Sequence, residues 1–250
     1  MYKKIIIDSR VISHLGKDLI TTSEVAVVEL VKNCIDAKAQ HVKLRLFDNV
    51  EKVPSNDILI RDFIPKEYRN LPLLIVEDDG KGMTTNELDS GFLKIGTDIK
   101  SDTHSFGEKG IGRLATQRLG KSVIVETSSE SGNNTLCALL DWNKIISGNT
   151  DVPYYEFEKT SPHTKLWIFG VDLEDFLEDF LQMSLFENEK NISINRDLKS
   201  ALNYLISPFQ AEQNSASYPD IKISYNGIIL KSDFPYNMVH LSESTHYFTI

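Results

Sequence analysis

The sequence predicts an α/β protein on three observations. Val42, Leu44 and Leu46 alternate strictly, residues 71–77 (LPLLIVE) are almost continuously apolar, and helix-period runs follow capping-box spacings. Period-2 alternation marks a half-buried strand. The 71–77 run, ending in DDGKGM, marks a buried strand that feeds a glycine turn.

The other elements follow in order. KKIIID near the start reads as a short strand. Thr21-Thr22-Ser23-Glu24 has capping-box spacing, and Val25, Val28, Leu30, Val31 and Ile35 continue a helix to about Ala37. Thr84-Thr85-Asn86-Glu87 opens a second helix, predicted to run to about Lys94. Residues 107–112 lead into a third, closed by Gly120 as a left-handed stop. Strands are predicted at 122–128, 134–142 and 165–171, helical periodicity at 172–186 and 196–206, and a hairpin over 221–230 turning at Asn226-Gly227. Asn, Ser, Glu and Gln accumulate in 187–220, so a soft boundary is placed near 180. This divides the chain into 1–180 and a helical-plus-hairpin extension, 181–250. The final apolar run, HYFTI, has no turn or cap after it, which suggests a longer protein cut short, although a strand can also be terminal.

Composition narrows the function classes. The 250 residues hold 27 Lys and Arg against 36 Asp and Glu, a net charge of −9. That balance argues against broad electrostatic capture of nucleic acid or an anionic membrane. Hydrophobic residues make up 41% and charged residues 25%, as in a globular rather than a disordered protein. Cys34 and Cys137 fit neither a disulfide scaffold nor a zinc spacing, and the six histidines show no metal-ligand spacing. No apolar run approaches the ~20 residues of a membrane helix, and the first ten residues lack a signal-peptide core. The expectation is a cytoplasmic, reduced, soluble protein.

Three blocks carry chemistry. In ELVKNCIDA (29–37), Glu29, Asn33 and Asp36 are spaced i, i+4 and i+7 and share one helical face. Alone, that row is as readily a solvated stripe. In DDGKGM (78–83), Gly80 and Gly82 let backbone approach a flat ligand, and Asp78 can accept from an amino group. An ordinary Asp-Gly turn is the bland alternative. GEKGIGR (107–113) opens a helix whose amides can bind phosphate, yet it is neither a Walker A loop nor a Rossmann turn.

In this order the blocks resemble the N-box and the two glycine boxes of the GHKL (Bergerat-fold) ATPase superfamily. They are most similar to bacterial chaperone-like, MutL and MORC-like ATP-binding domains. FLKIGTDIKS (92–101) resembles the segment that opens the ATP lid, and His163-Thr164-Lys165 the late threonine of the adenine pocket. Residues 9–33 are similar to the N-terminal stretch of bacterial chaperone-like members, so the likeness spans about 5–172.

The resemblance implies a two-layer α/β sandwich: a mixed, mostly antiparallel sheet with helices on one face and the nucleotide between the layers. It implies ATP and Mg²⁺ as cofactors. Glu29 would be the catalytic base that activates water, and Asn33 the Mg²⁺ ligand. Asp78 would read the adenine amino group, with Thr164 bridging to the base through water. Gly80 and Gly82 would pass under the nucleotide, and Gly107, Lys109, Gly110 and Gly112 would wrap the phosphates. Asp36, Met83 and Ile111 would complete the nucleotide-binding set.

The implied function is an ATP-driven conformational and dimerisation switch in a larger protein. ATP or ADP is its ligand, and a second copy and downstream domains are its partners. No membrane is involved, and nucleic acid enters only through other parts of such a protein. The client is left open among chaperone, DNA-repair, chromatin and phage-defence roles. A histidine kinase catalytic domain is one alternative, although Asp36-Ala37 stands where kinases carry Lys-Tyr or Lys-Phe. A non-hydrolysing ATP-sensing module is another. Gyrase- and MutL-type members add a γ-phosphate lysine from a following transducer domain. No lysine can be placed in that role here, Lys231 being only one that the tail contains.

Overall fold

Thr22 begins the first long helix, its hydroxyl accepting from the Val25 amide at 3.4 Å. The cap is one residue later than the spacing at Thr21 predicts. Ser23 is buried and its hydroxyl is bonded to the Asp175 carboxylate, which fixes the first turn there. The computed structural model describes residues 2–4, 6–7, 20–55, 60–95, 112–177, 194–206 and 221–231. It opens with β1 (Tyr2–Lys4), β2 (Ile6–Ile7), α1 (Ser23–Asp36) and β3 (His41–Phe47). Then come α2 (Lys66–Arg69), β4 (Leu73–Asp78), α3 (Thr85–Glu87), a π-helical turn at Leu88–Phe92, and β5 (Lys94–Ile95). The second half holds α4 (Gly112–Leu119), β6 (Ser122–Ser128), β7 (Asn134–Asp141), α5 (Trp142–Ile146), β8 (Asp151–Glu158) and β9 (His163–Phe169). A 3₁₀ turn at Leu173–Asp175, α6 (Arg196–Asn203), β10 (Lys222–Tyr225) and β11 (Ile228–Ile229) complete it.

Among the described residues nine strands form one sheet in the order β1-β8-β7-β6-β9-β4-β3-β10-β11, and β2 pairs with β5 apart from it. Every pair in the large sheet is antiparallel except β10 beside β3, so the sheet is mixed and mostly antiparallel. Because side chains alternate across a strand, the register sorts residues into two faces. Leu44, Val76, Leu166, Val125 and Ala138 lie in one row across five strands. That face packs against Ala26, Val27, Leu30 and Val31 of α1, Ala115 of α4 and Leu198 and Leu202 of α6. α1 packs directly on α4 and α6.

The opposite face is covered too. Ile75, Ile124, Trp167 and Phe169 pack under Val50, Val53, Ile60, Ile64 and Tyr68 of the β3–β4 connection. The long helices therefore occupy one face of the sheet, and a short irregular cover closes the other.

Several expectations are corrected. Thr84 and Glu87 form the capping box, but α3 passes into the π turn and the chain is extended again by Lys94. β7 stops at Asp141 because that carboxylate accepts from the Lys144 amide and caps α5. β8 was not read from the sequence, since Pro153 interrupts its pattern. Pairing with β7 begins only at Tyr154, so the missing amide breaks no bond of that ladder. Gly120 has no positive φ. A Cβ there would stand 2.6 Å from the Phe169 carbonyl, so close approach to β9 is what requires glycine. In 172–186, a 3₁₀ turn is followed by Leu177, which bridges to Ile194, and 178–193 lie outside the described residues. The hairpin turn stands as predicted, with Asn226 and Gly227 at φ of 46° and 83°. Among the described residues no helix is long and apolar enough to cross a membrane.

Two glycines give contrasting outcomes. Gly120→Ala drives a methyl into the β9 backbone and should cost about 1–3 kcal/mol in chemical denaturation. Gly91→Ala meets nothing within 4 Å, so it should be neutral or stabilise by up to ~1 kcal/mol. Equal effects would contradict the placement of α4 against β9.

Candidate functional site

α1 buries Ala26, Val27, Leu30, Val31, Cys34 and Ile35. Its remaining stripe carries the polar row expected from the spacing. Glu29 is half-buried and its Oε1 accepts from Lys32 Nζ at 2.7 Å. Asn33 is exposed, one turn further on, and Asp36 is half-buried near the C-terminus.

The helix end meets the glycine turn backbone to backbone. The Ala37 carbonyl accepts from the Lys81 amide at 3.0 Å, and a Cβ on residue 80 would stand 2.7 Å from that oxygen. Gly82 has φ +63°, and a Cβ there would lie 1.9 Å from the Ser128 carbonyl of β6. Only glycine fits both demands at that position. N-box and first glycine box, 41 positions apart from Ala37 to Asp78, are thereby one surface.

The two aspartates of that turn have different duties. Asp79 is largely exposed; its Oδ1 accepts from the Gln40 and His41 amides, each at 2.8 Å, and its Oδ2 lies 2.7 Å from His41 Nδ1. Partial burial opposes its charge, but these bonds outweigh it and hold the carboxyl below its usual range. Asp78 is only 5% exposed and turns to the helix side of the sheet. Burial raises its pKa to about 6, against the opposing pull of the Gly80 amide and the Cys34 thiol. The Gly80 amide donates to Oδ1 at 2.9 Å. Cys34 donates to the Leu30 carbonyl at 3.2 Å, and burial and then Asp78 push its thiol well above the ordinary range, which suits packing rather than nucleophilic attack.

Thr164 is the register partner of Asp78 across β4–β9 and of Thr127 across β6–β9, so all three share one row of one face. Thr127 Oγ1 accepts from the Met83 amide at 2.9 Å, donates to the His163 carbonyl at 2.9 Å, and lies 3.3 Å from Thr164 Oγ1. Behind this row, on the other face, buried Glu126 accepts from Trp167 Nε1 at 2.9 Å, with His163 Nε2 at 3.2 Å and Lys165 Nζ at 3.8 Å. Burial opposes charge on His163, but the bond to Glu126 and one to the Ser161 carbonyl raise its pKa.

The structure thus brings Asp36, Asp78, Gly80, Gly82, Met83 and Thr164 around one end of the sheet. Glu29 and Asn33 stand on α1 above it. Gly107, Lys109, Gly110 and Ile111 lie outside the described residues, and Gly112 begins α4. Lys231 is exposed just after β11, at the far edge of the sheet. Thr127 was missed. The only signal that could have found it is its alignment with Thr164, and cross-strand register is not written in the sequence.

Asp78 gives a pH signature. Its folded-state pKa of about 6 lies above the usual 3.8, so the folded state holds a proton that the unfolded state releases first. Stability should fall as pH rises from about 4 to about 6, by about 3 kcal/mol, and stay lowered above that. Asp78→Asn removes this penalty and should unfold at a higher temperature than the wild type at pH 7.5, but not at pH 4. A variant less stable at both values would contradict the burial of an ionised group.

A family model described as histidine kinase-, DNA gyrase B- and HSP90-like ATPase matches residues 20–166. No curated protein matches the chain. The matched span opens just before α1 and ends inside β9, so it encloses both glycine boxes, the polar row and Thr164. The chain belongs to the histidine kinase-, DNA gyrase B- and HSP90-like ATPase family, and its matched part is an ATP-binding domain of the GHKL type.

Proposed function

We propose that the chain binds ATP with Mg²⁺ between α1 and the helix-side face of the sheet, hydrolyses it, and serves as a nucleotide-driven conformational and dimerisation switch. One observation carries the reading. The glycine turn closes onto the end of α1 and leaves one buried carboxylate, Asp78, below a helix stripe bearing Glu29 and Asn33. In this reading Asp78 accepts from the adenine amino group and Thr164 bridges to the base through water. Gly80, Gly82 and Met83 lie along the nucleotide, with Asp36 beside it. Gly112 contributes an amide at the start of α4, where phosphate oxygens are favoured. Gly107, Lys109, Gly110 and Ile111 would join it.

The donors suit Mg²⁺. Asn33 offers one exposed amide oxygen, and among the described residues no three His, Cys, Asp or Glu gather into a cage. A single protein oxygen with phosphate and water ligands is the ordinary Mg²⁺ arrangement. When bound, the ion neutralises charge on the phosphates. Glu29 orients the attacking water and takes its proton. Its pairing with Lys32 is partly exposed, 31% and 19% for the two side chains, and such pairs are worth only ~0–1 kcal/mol, so a water can replace the lysine.

That same pairing favours a second reading, a non-hydrolysing ATP-sensing module, in which Lys32 keeps Glu29 from water. In either case residues 1–180 would carry the nucleotide and 181–250 would pass the signal onward, to a second copy or to following domains. The buried, unbridged Cys34 and Cys137 support a reducing, cytoplasmic setting.

Phosphate release and calorimetric binding of Mg-ATP separate these readings. Glu29→Gln keeps the size of the side chain but loses the proton acceptor, so hydrolysis should fall by ~10²–10⁴ with ATP affinity little changed. Asn33→Ala should weaken Mg-ATP binding and turnover together. Wild-type binding without turnover selects the sensing module. Full activity in Glu29→Gln overturns the catalytic assignment.

A further inference from the structure

The Thr127 hydroxyl has one proton and, among the described residues, three polar neighbours. Its oxygen accepts from the Met83 amide at 2.9 Å, so the proton goes either to the His163 carbonyl at 2.9 Å or to Thr164 Oγ1 at 3.3 Å. A carbonyl oxygen can only accept, and the shorter contact is the better bond. The proton therefore lies toward His163. That leaves one way to satisfy the remaining contact: Thr164 donates to Thr127. The Glu126–His163 bond on the opposite face holds the residue whose carbonyl makes this choice.

With its proton turned back into the sheet, Thr164 presents lone pairs alone to the space beside it. Asp78, its partner across β4–β9, presents a second acceptor when ionised. We propose that Thr127 is a positioning residue which makes Thr164 an obligate acceptor and so sets the site's preference for a 6-amino purine nucleotide over a 6-oxo purine nucleotide. The inference rests on the nucleotide reading above. An amino group, or a water bonded to one, offers protons to both acceptors. A 6-oxo group brings a third acceptor against them. Without Thr127, the Thr164 hydroxyl turns and donates, and the 6-oxo base is tolerated better.

The test is calorimetric titration of Mg-ATP and Mg-ITP, read as the ratio of the two dissociation constants, on wild type, Thr127→Val and Thr127→Ser. One redirected hydrogen bond should lower the preference for ATP by about two- to tenfold in Thr127→Val. Thr127→Ser, which keeps the hydroxyl, should hold the wild-type ratio. Loss of the Met83 and His163 bonds alone would loosen the turn and weaken both nucleotides by one factor, leaving the ratio unmoved, and that result overturns the proposal. Should Thr127→Val not fold, Thr164→Val removes the acceptor directly and should lower the ratio alike; an unchanged ratio there also overturns it. A wild type that binds ATP but does not prefer it to ITP refutes the inference and leaves the nucleotide reading intact. A wild type that binds neither refutes both.

Discussion

The Ala37 carbonyl and the Lys81 amide meet at 3.0 Å, and the site depends on that approach. A helix end and a strand end can come this close only where a side chain is missing, and Gly80 supplies the gap. From this contact the rest follows. Asp79 is turned outward to bond the start of β3, and Asp78 is turned inward beneath α1. The apolar stripe of α1 is pressed to the sheet, so the polar stripe bearing Glu29, Asn33 and Asp36 is carried around its rim. Gly82 then locks the far side of the turn onto Ser128, and Thr127 ties it to β9. A single backbone junction thus sets three elements in register.

Such a junction buries a carboxylate, and burial is unfavourable to charge. Asp78 receives the Gly80 amide, and the Cys34 thiol beside it also pulls its pKa down; together they offset part of the desolvation but leave the pKa near 6. The folded protein holds there an acceptor stronger than its own partners satisfy. In the proposed reading the adenine amino group supplies what is lacking, so stability given up in the free protein is recovered on binding. Asp79, bonded three times at the surface, shows how an adjacent carboxylate is treated when it serves only the fold.

Much of this was legible in the sequence because it rests on local rules. The alternation at Val42, Leu44 and Leu46 and the apolar run ending at Asp78 gave β3 and β4, and Asn226-Gly227 gave the last turn. The spacing of Glu29, Asn33 and Asp36 gave one helix stripe, because helical period alone decides it. What stayed hidden is non-local. Gly120 looked like a helix stop, although its cause is a carbonyl on β9. β8 was hidden by Pro153, which pairs with Tyr2 of β1, while the ladder to β7 begins only at Tyr154. Of two consecutive aspartates, nothing in the sequence said which would be buried, and Thr127 acquired its place only when β6 and β9 fell into register.

The central claim is that the buried Asp78 carboxylate reads an amino group on a bound adenine. Isothermal titration of Mg-ATP into wild type and Asp78→Asn at pH 7.5, with folding of both verified by circular dichroism, tests it most directly. An amide in place of the carboxylate turns a donor toward the base amino group, so the account predicts a saturating wild-type isotherm and no measurable binding by a folded Asp78→Asn. Equal affinity in the two proteins would contradict it.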